Sequence, residues 1–128
     1  MEQPTQENPL AFAASSASLK WGPCPEIFPT GCEIAVLHGD PARENADLFF
    51  KVPANYKIPN HWHTSAERMV LVSGKMTVQY EGHEPVTLKK GVYAYGPPKL
   101  PHATTCLKGE ECVLFIAFEE PVDAHLAE

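Results

Sequence analysis

Turn signals cut most of this chain into pieces too short for helices. His38-Gly39-Asp40-Pro41, Pro53, Ser73-Gly74, Glu81-Gly82-His83-Glu84, Lys90-Gly91 and Gly96-Pro97-Pro98 separate apolar or alternating runs. A spacing of about 8 to 12 residues between such signals is the pattern of an all-β barrel or sandwich. The 13 prolines spread along 128 residues agree with it, because proline breaks helix interiors and suits turns and strand edges.

The runs between the turns predict strands at Ile34 to Leu37, Leu48 to Val52, Tyr56 to Ile58, Glu67 to Val72, Lys75 to Tyr80, Val86 to Leu88, Val92 to Tyr95, Ala103 to Leu107 and Cys112 to Phe118. Lys75 to Tyr80 alternates strictly, with Met76, Val78 and Tyr80 on one face, as a half-buried strand does. A helix is expected only at Asp123 to Ala127. Residues 1–20 read as a flexible or loosely draped arm, polar or small with Pro4 and Pro9, and residues 21–128 as a single barrel domain.

Chemistry concentrates at Asn60-His61-Trp62-His63-Thr64-Ser65-Ala66-Glu67. His61 and His63 are two apart, so on a strand both rings point to one face. Glu67 follows, expected to arrive on the same hairpin as His61 and His63, and His102 lies about 35 residues further along, expected on a separate strand across the barrel. Three imidazoles and one carboxylate suit a borderline divalent ion such as Fe, Mn, Ni, Cu or Zn. They do not suit Ca or Mg, which prefer oxygen-only sites.

These residues also carry a resemblance to the cupin family. Its first motif runs His-x-His, three or four residues, Glu, six residues, Gly, and is matched by His61, His63, Glu67 and Gly74. The motif's opening Gly falls at Asn55. The second motif runs Gly, five residues, Pro-x-Gly, two residues, His, three residues, Asn. Gly91, Pro97 and His102 match it, while Lys99 replaces the second Gly and Cys106 the Asn. The resemblance spans about residues 31 to 118. It implies an all-β double-stranded β-helix, or jelly-roll, barrel holding one divalent metal bound by His61, His63, Glu67 and His102.

Four protein ligands would leave one or two positions open for a small oxygen-bearing substrate. The expected function is a metal-dependent enzyme, of the dioxygenase type among oxidoreductases. A non-redox lyase, isomerase or epimerase, or a non-catalytic ligand-binding cupin, is the alternative, because the fold does not choose the reaction. A net charge of −6 argues against a nucleic-acid partner, and no apolar run is long enough to cross a membrane. A homodimer is expected, with Trp62 and one of Phe49 and Phe50 on the outer face. Ala11 to Leu19 lacks the regions of a signal peptide, which points to the cytoplasm, with the periplasm as the alternative.

Several neighbours carry narrower expectations. Thr104 and Cys106 should share the inward face of His102. Trp62 should point away from the histidines, and Arg68 outward. Tyr93 and Tyr95 share one face, read as core or cavity lining. Lys99 reads as a solvated turn lysine, and His38, His83 and His125 as solvent-facing. A Cys24–Cys32 bridge is compatible with the sequence. A hairpin pairing Leu107 with Cys112 would turn Cys106 and Cys112 to opposite faces and disfavour a bridge between them.

Overall fold

The computed structural model of the protein describes residues 7–127. Eleven strands follow in order: β1 (Trp21–Pro23), β2 (Glu33–His38), β3 (Asp47–Val52), β4 (Lys57–Trp62), β5 (Glu67–Ser73), β6 (Met76–Tyr80), β7 (Val86–Leu88), β8 (Tyr93–Gly96), β9 (His102–Cys106), β10 (Cys112–Phe118) and β11 (His125–Leu126). They form a six-stranded sheet in the order β1-β2-β3-β10-β5-β8 and a five-stranded sheet in the order β11-β4-β9-β6-β7. All pairings are antiparallel. The two sheets face each other as an all-β jelly roll. No helix occurs among the described residues, and the helix expected at Asp123 to Ala127 is a loop leading into β11. Local helix propensity loses there to the free edge of β4, which pairs His125 with Trp62 and Leu126 with His61.

Alternation places the core between the sheets. Leu48, Phe50 and Val52 of β3, Met69 and Leu71 of β5, and Leu114 and Ile116 of β10 point inward from one sheet. Ile58, Met76, Val78 and Leu88 meet them from the other. On the outer face of the six-stranded sheet, neighbouring strands align Trp21, Ala35, Phe49, Phe115, Val70 and Tyr93 in one row. Phe12, Ala14 and Leu19 of the N-terminal arm cover the Ala35–Phe49–Val113 part of this face. Residues 1–6 of that arm lie outside the described residues. The other half of the face remains open: Tyr93 and Tyr95 are 56% and 45% exposed. They are thus neither core nor cavity lining as expected, because Ala94 and Gly96 take the inward positions of β8.

Both cysteine pairs form disulfides, Cys24–Cys32 and Cys106–Cys112. The second corrects the expectation that this pair would stay apart. That expectation assumed a hairpin, but β9 and β10 belong to opposite sheets. Cys106 points inward from one sheet and Cys112 from the other, and the bond joins them across the core with both residues fully buried. Closing so short a loop stabilises by roughly 2 kcal/mol through the unfolded chain. Alkylation of denatured, unreduced protein should therefore modify no cysteine, and four modified thiols by mass spectrometry would refute both bridges.

Candidate functional site

The four residues singled out by spacing meet inside the barrel, though not by the expected route. β4 and β5 do not form a hairpin; β4 lies in the five-stranded sheet and β5 in the six-stranded one. His61 and His102 are direct partners on the neighbouring strands β4 and β9, and it is Glu67 that arrives from the facing sheet. Alternation tells which way a side chain points, but not which sheet its strand joins.

Residues 63–66 make the crossing, and several bonds hold it. The Ser65 hydroxyl is buried and accepts the backbone N–H groups of Glu119 and Glu120, each at 3.0 Å. The Thr64 N–H donates to the Asp123 carboxylate at 2.8 Å, as does the Thr64 hydroxyl. The Lys99 N–H donates to the His63 carbonyl at 2.8 Å, which ties the turn before His102 to the first arm of the site.

Each imidazole is locked by one nitrogen. Nδ1 of His61 lies 2.7 Å from the Pro59 carbonyl, Nδ1 of His63 2.6 Å from the Asp123 carbonyl, and Nδ1 of His102 3.0 Å from the Leu100 carbonyl. A carbonyl only accepts, so each Nδ1 carries the proton and each Nε2 presents a lone pair. This arrangement orients metal-binding histidines. Pro59 shapes it twice, since it lacks an N–H for the ladder and the register of β4 against β9 shifts between Ile58 and His61.

The three imidazoles bring donor atoms within 4.8 Å of one another and could hold a metal ion. Glu67 Oε1 stands 3.3 Å from His63 Nε2 and 3.5 Å from His102 Nε2. Donors about 2.1 Å from one ion stand about 3.0–3.4 Å apart when adjacent and about 4.2 Å apart when opposite. The Glu67 contacts with His63 and His102 are close to the spacing of adjacent donors, and the donor chemistry suits a transition ion, while the group that geometry alone brings together is the three imidazoles without Glu67. Burial, reinforced by His102 and His63, pushes His61 down to about 3, against the bond to Pro59. Burial also lowers His63 and His102. Burial pushes Glu67 up to about 7, against the pull of His102. With neutral imidazoles, the contacts between Glu67 and the histidines are not ion pairs.

The donors open on a cavity of about 60 Å³, room for roughly four or five water-sized groups. Phe28, Phe50, Met69, Val78, Leu114 and Phe118 contribute to its apolar wall, and no lysine or arginine lines it. Lys99 is exposed and takes no part in the wall. Thr104 and Cys106 share the inward face of His102 as expected, and Thr104 lines the cavity. Trp62 points away from the site and stacks on the exposed His125, centroids 4.3 Å apart. Arg68 points outward and pairs with Glu119. His38 and His83 are exposed, and His38 contacts Glu7 at 2.8 Å.

Three contributors escaped the sequence reading. Phe28 packs edge-on against His61 at 5.0 Å from a segment without strand pattern. Asp123 clamps the His63–Thr64 corner. Burial pushes its carboxyl up, but the bonds from Thr64 and His125 outweigh this and hold it below its ordinary value. Alternation places Tyr80 on the face of Met76 and Val78, but nothing in the sequence marks it as near the histidines. Its ring lies 5.2 Å from that of His102.

Solved structures share the fold at low identity. DMSP lyase DddQ from Ruegeria pomeroyi is 20% identical with a TM-score of 0.73, over 87% of this chain and 62% of that one. The chain thus spans less than two thirds of that lyase. The polyketide cyclase RemF from Streptomyces resistomycificus is 16% identical with a TM-score of 0.75, over 93% and 87%. A cupin-2 domain protein from Rhodospirillum rubrum is 12% identical with a TM-score of 0.74, over 94% and 83%. No curated protein matches the chain in sequence. Residues 11–121 match the ChrR Cupin-like domain, nearly the whole of the two-sheet barrel described above, and the chain belongs to that cupin family.

Proposed function

We propose that the protein is a metal-dependent enzyme in which His61, His63, Glu67 and His102 hold one divalent transition ion, and that it acts on a small oxygen-bearing organic molecule as a dioxygenase-type oxidoreductase. The observation that carries this reading is the set of three neutral imidazoles, each locked at Nδ1, facing a buried carboxylate at the end of an apolar cavity. The ion would supply Lewis acidity and, if redox-active, electron transfer toward dioxygen. The chain's own residues would orient the substrate against the histidine face and exclude bulk water with the Phe28, Phe50 and Phe118 wall. Without a lysine or arginine in the wall, the site favours neutral or singly charged molecules over dianions.

Similarity to a lyase and a cyclase favours a second reading, a non-redox lyase, isomerase or epimerase at the same site. Metal analysis of protein purified without a metal column, followed by a substrate screen in air and under argon, separates the two. Turnover that requires air and consumes oxygen supports the first reading. Equal turnover under argon moves the assignment to the second. Ligand binding without turnover would leave a binding protein and sink both.

The two disulfides favour the periplasmic over the cytoplasmic alternative, because such bonds persist in oxidising compartments. A homodimer would pair through the half of the outer sheet face that the arm leaves open, around Val70, Val72, Tyr93 and Tyr95, and the exposure of the last three supports this reading. Light scattering should give twice the 14.1 kDa chain mass, and Tyr93→Glu should shift it toward the monomer. A native mass near that of one chain across micromolar concentrations would contradict the assignment.

A further inference from the structure

The buried site contains one polar atom that the donor set does not use. The Tyr80 hydroxyl is buried and has no hydrogen-bond partner on the protein, the only such side-chain nitrogen or oxygen among the described residues. Leaving a buried hydroxyl unpaired is costly, and native proteins rarely do so without a reason. The position of this one suggests the reason. Tyr80 ends β6, next to β9 in the five-stranded sheet, and pairs directly with His102. It lines the cavity that the three histidines and Glu67 also line. A Cβ added at Gly96 would lie 3.2 Å from the Tyr80 hydroxyl and 3.5 Å from Glu67 Oε1, so both groups converge on one bare backbone position. Gly96 thereby keeps its backbone clear of both the phenol and the carboxylate.

On the reading that this site binds a metal and an oxygen-bearing molecule, we propose that Tyr80 is a substrate-contacting residue whose hydroxyl donates the hydrogen bond that orients the ligand oxygen over the histidine face. The chemistry of the wall defines the ligand further. Aside from the donor set, Tyr80, Thr104 and Asp123, the wall is apolar. A fitting ligand is small, has an apolar body, and carries one oxygen toward the donors and one accepting oxygen toward Tyr80. Tyr80 and Val78 also line an outer groove with Val86, Tyr93 and Tyr95. Tyr80 therefore stands in the wall between the cavity and a solvent-facing groove.

Acetohydroxamate, a small two-oxygen ligand, tests the proposal on Co(II)-loaded protein through the visible absorption of cobalt. Tyr80→Phe should take up cobalt like the native chain but bind acetohydroxamate about 10-fold more weakly, as expected for one hydrogen bond to an anionic oxygen. The melting temperature of ligand-free Tyr80→Phe should equal or exceed the native value, because the substitution removes a hydroxyl that no protein group satisfies. A melting temperature several degrees lower would make Tyr80 a structural hydrogen-bonder and overturn the proposal. Equal acetohydroxamate affinity in both proteins, or none in either, would overturn it while leaving the metal site intact. Failure of the native chain to take up cobalt would instead remove the metal reading, and this proposal with it.

Discussion

Replacing His102 by alanine is expected to lower the affinity for Mn(II) or Fe(II) at least about 100-fold, since even changes behind the first ligands cost 10- to 100-fold. The same holds for His61→Ala and His63→Ala. Each substitution removes one of three Nε2 donors that the fold orients through a backbone carbonyl, and it strands that carbonyl at Pro59, Asp123 or Leu100. Glu67→Gln is a different change. It keeps the size and one oxygen but removes the only negative charge of the donor set, so it should weaken binding about 10-fold and alter activity more than occupancy. Parallel titrations of the metal-free variants measure all four. If Glu67→Gln lost metal as completely as His63→Ala, Glu67 would not be the charge-setting member of the set. If none of the four changed affinity, the ion would bind elsewhere.

The sequence revealed this site more fully than it revealed the route by which the chain builds it. Strand positions from Ile34 to Phe118 were legible because alternation and turn pairs are local signals. The inward direction of His61, His102, Thr104 and Cys106 follows from the period of two. Sheet membership is not local, which explains the mistaken hairpin for His61, His63 and Glu67 and the rejected bridge between Cys106 and Cys112. Asp123 was missed for the same reason: it acts through contacts with His63 and Thr64, about sixty positions earlier. Tyr93 and Tyr95 misled because aromatic residues at strand spacing mark a face without saying whether it is the core or an open outer face. Two of the three departures from the family pattern have a conformational answer. Asn55 and Lys99 stand where the motifs carry Gly, and their φ values of 66° and 63° keep the left-handed turn. Asn adopts that conformation readily, and Lys does so at a modest cost.

The matching motif glycines can be separated by what surrounds them. Gly74 and Gly91 share a φ of 84°, a conformation that alanine resists. Their surroundings differ. A Cβ at Gly74 would lie 2.7 Å from Cys112 Sγ, 2.7 Å from the Glu111 carbonyl oxygen and 2.9 Å from Cys112 Cα. Two of those atoms are backbone, and the third is held in the disulfide that joins the sheets, so none can swing aside as a free side chain would. A Cβ at Gly91 meets nothing within 4 Å. Gly74→Ala should therefore combine strain with overpacking and destabilise by about 3 kcal/mol, lowering Tm by roughly 10 °C for a domain of this size. Gly91→Ala should lose about 1 kcal/mol from strain alone. Thermal melts of both variants against the native chain decide the matter. Equal losses would mean that the motif glycine at position 74 serves only its turn, and that the close approach to Cys112 imposes no constraint of its own.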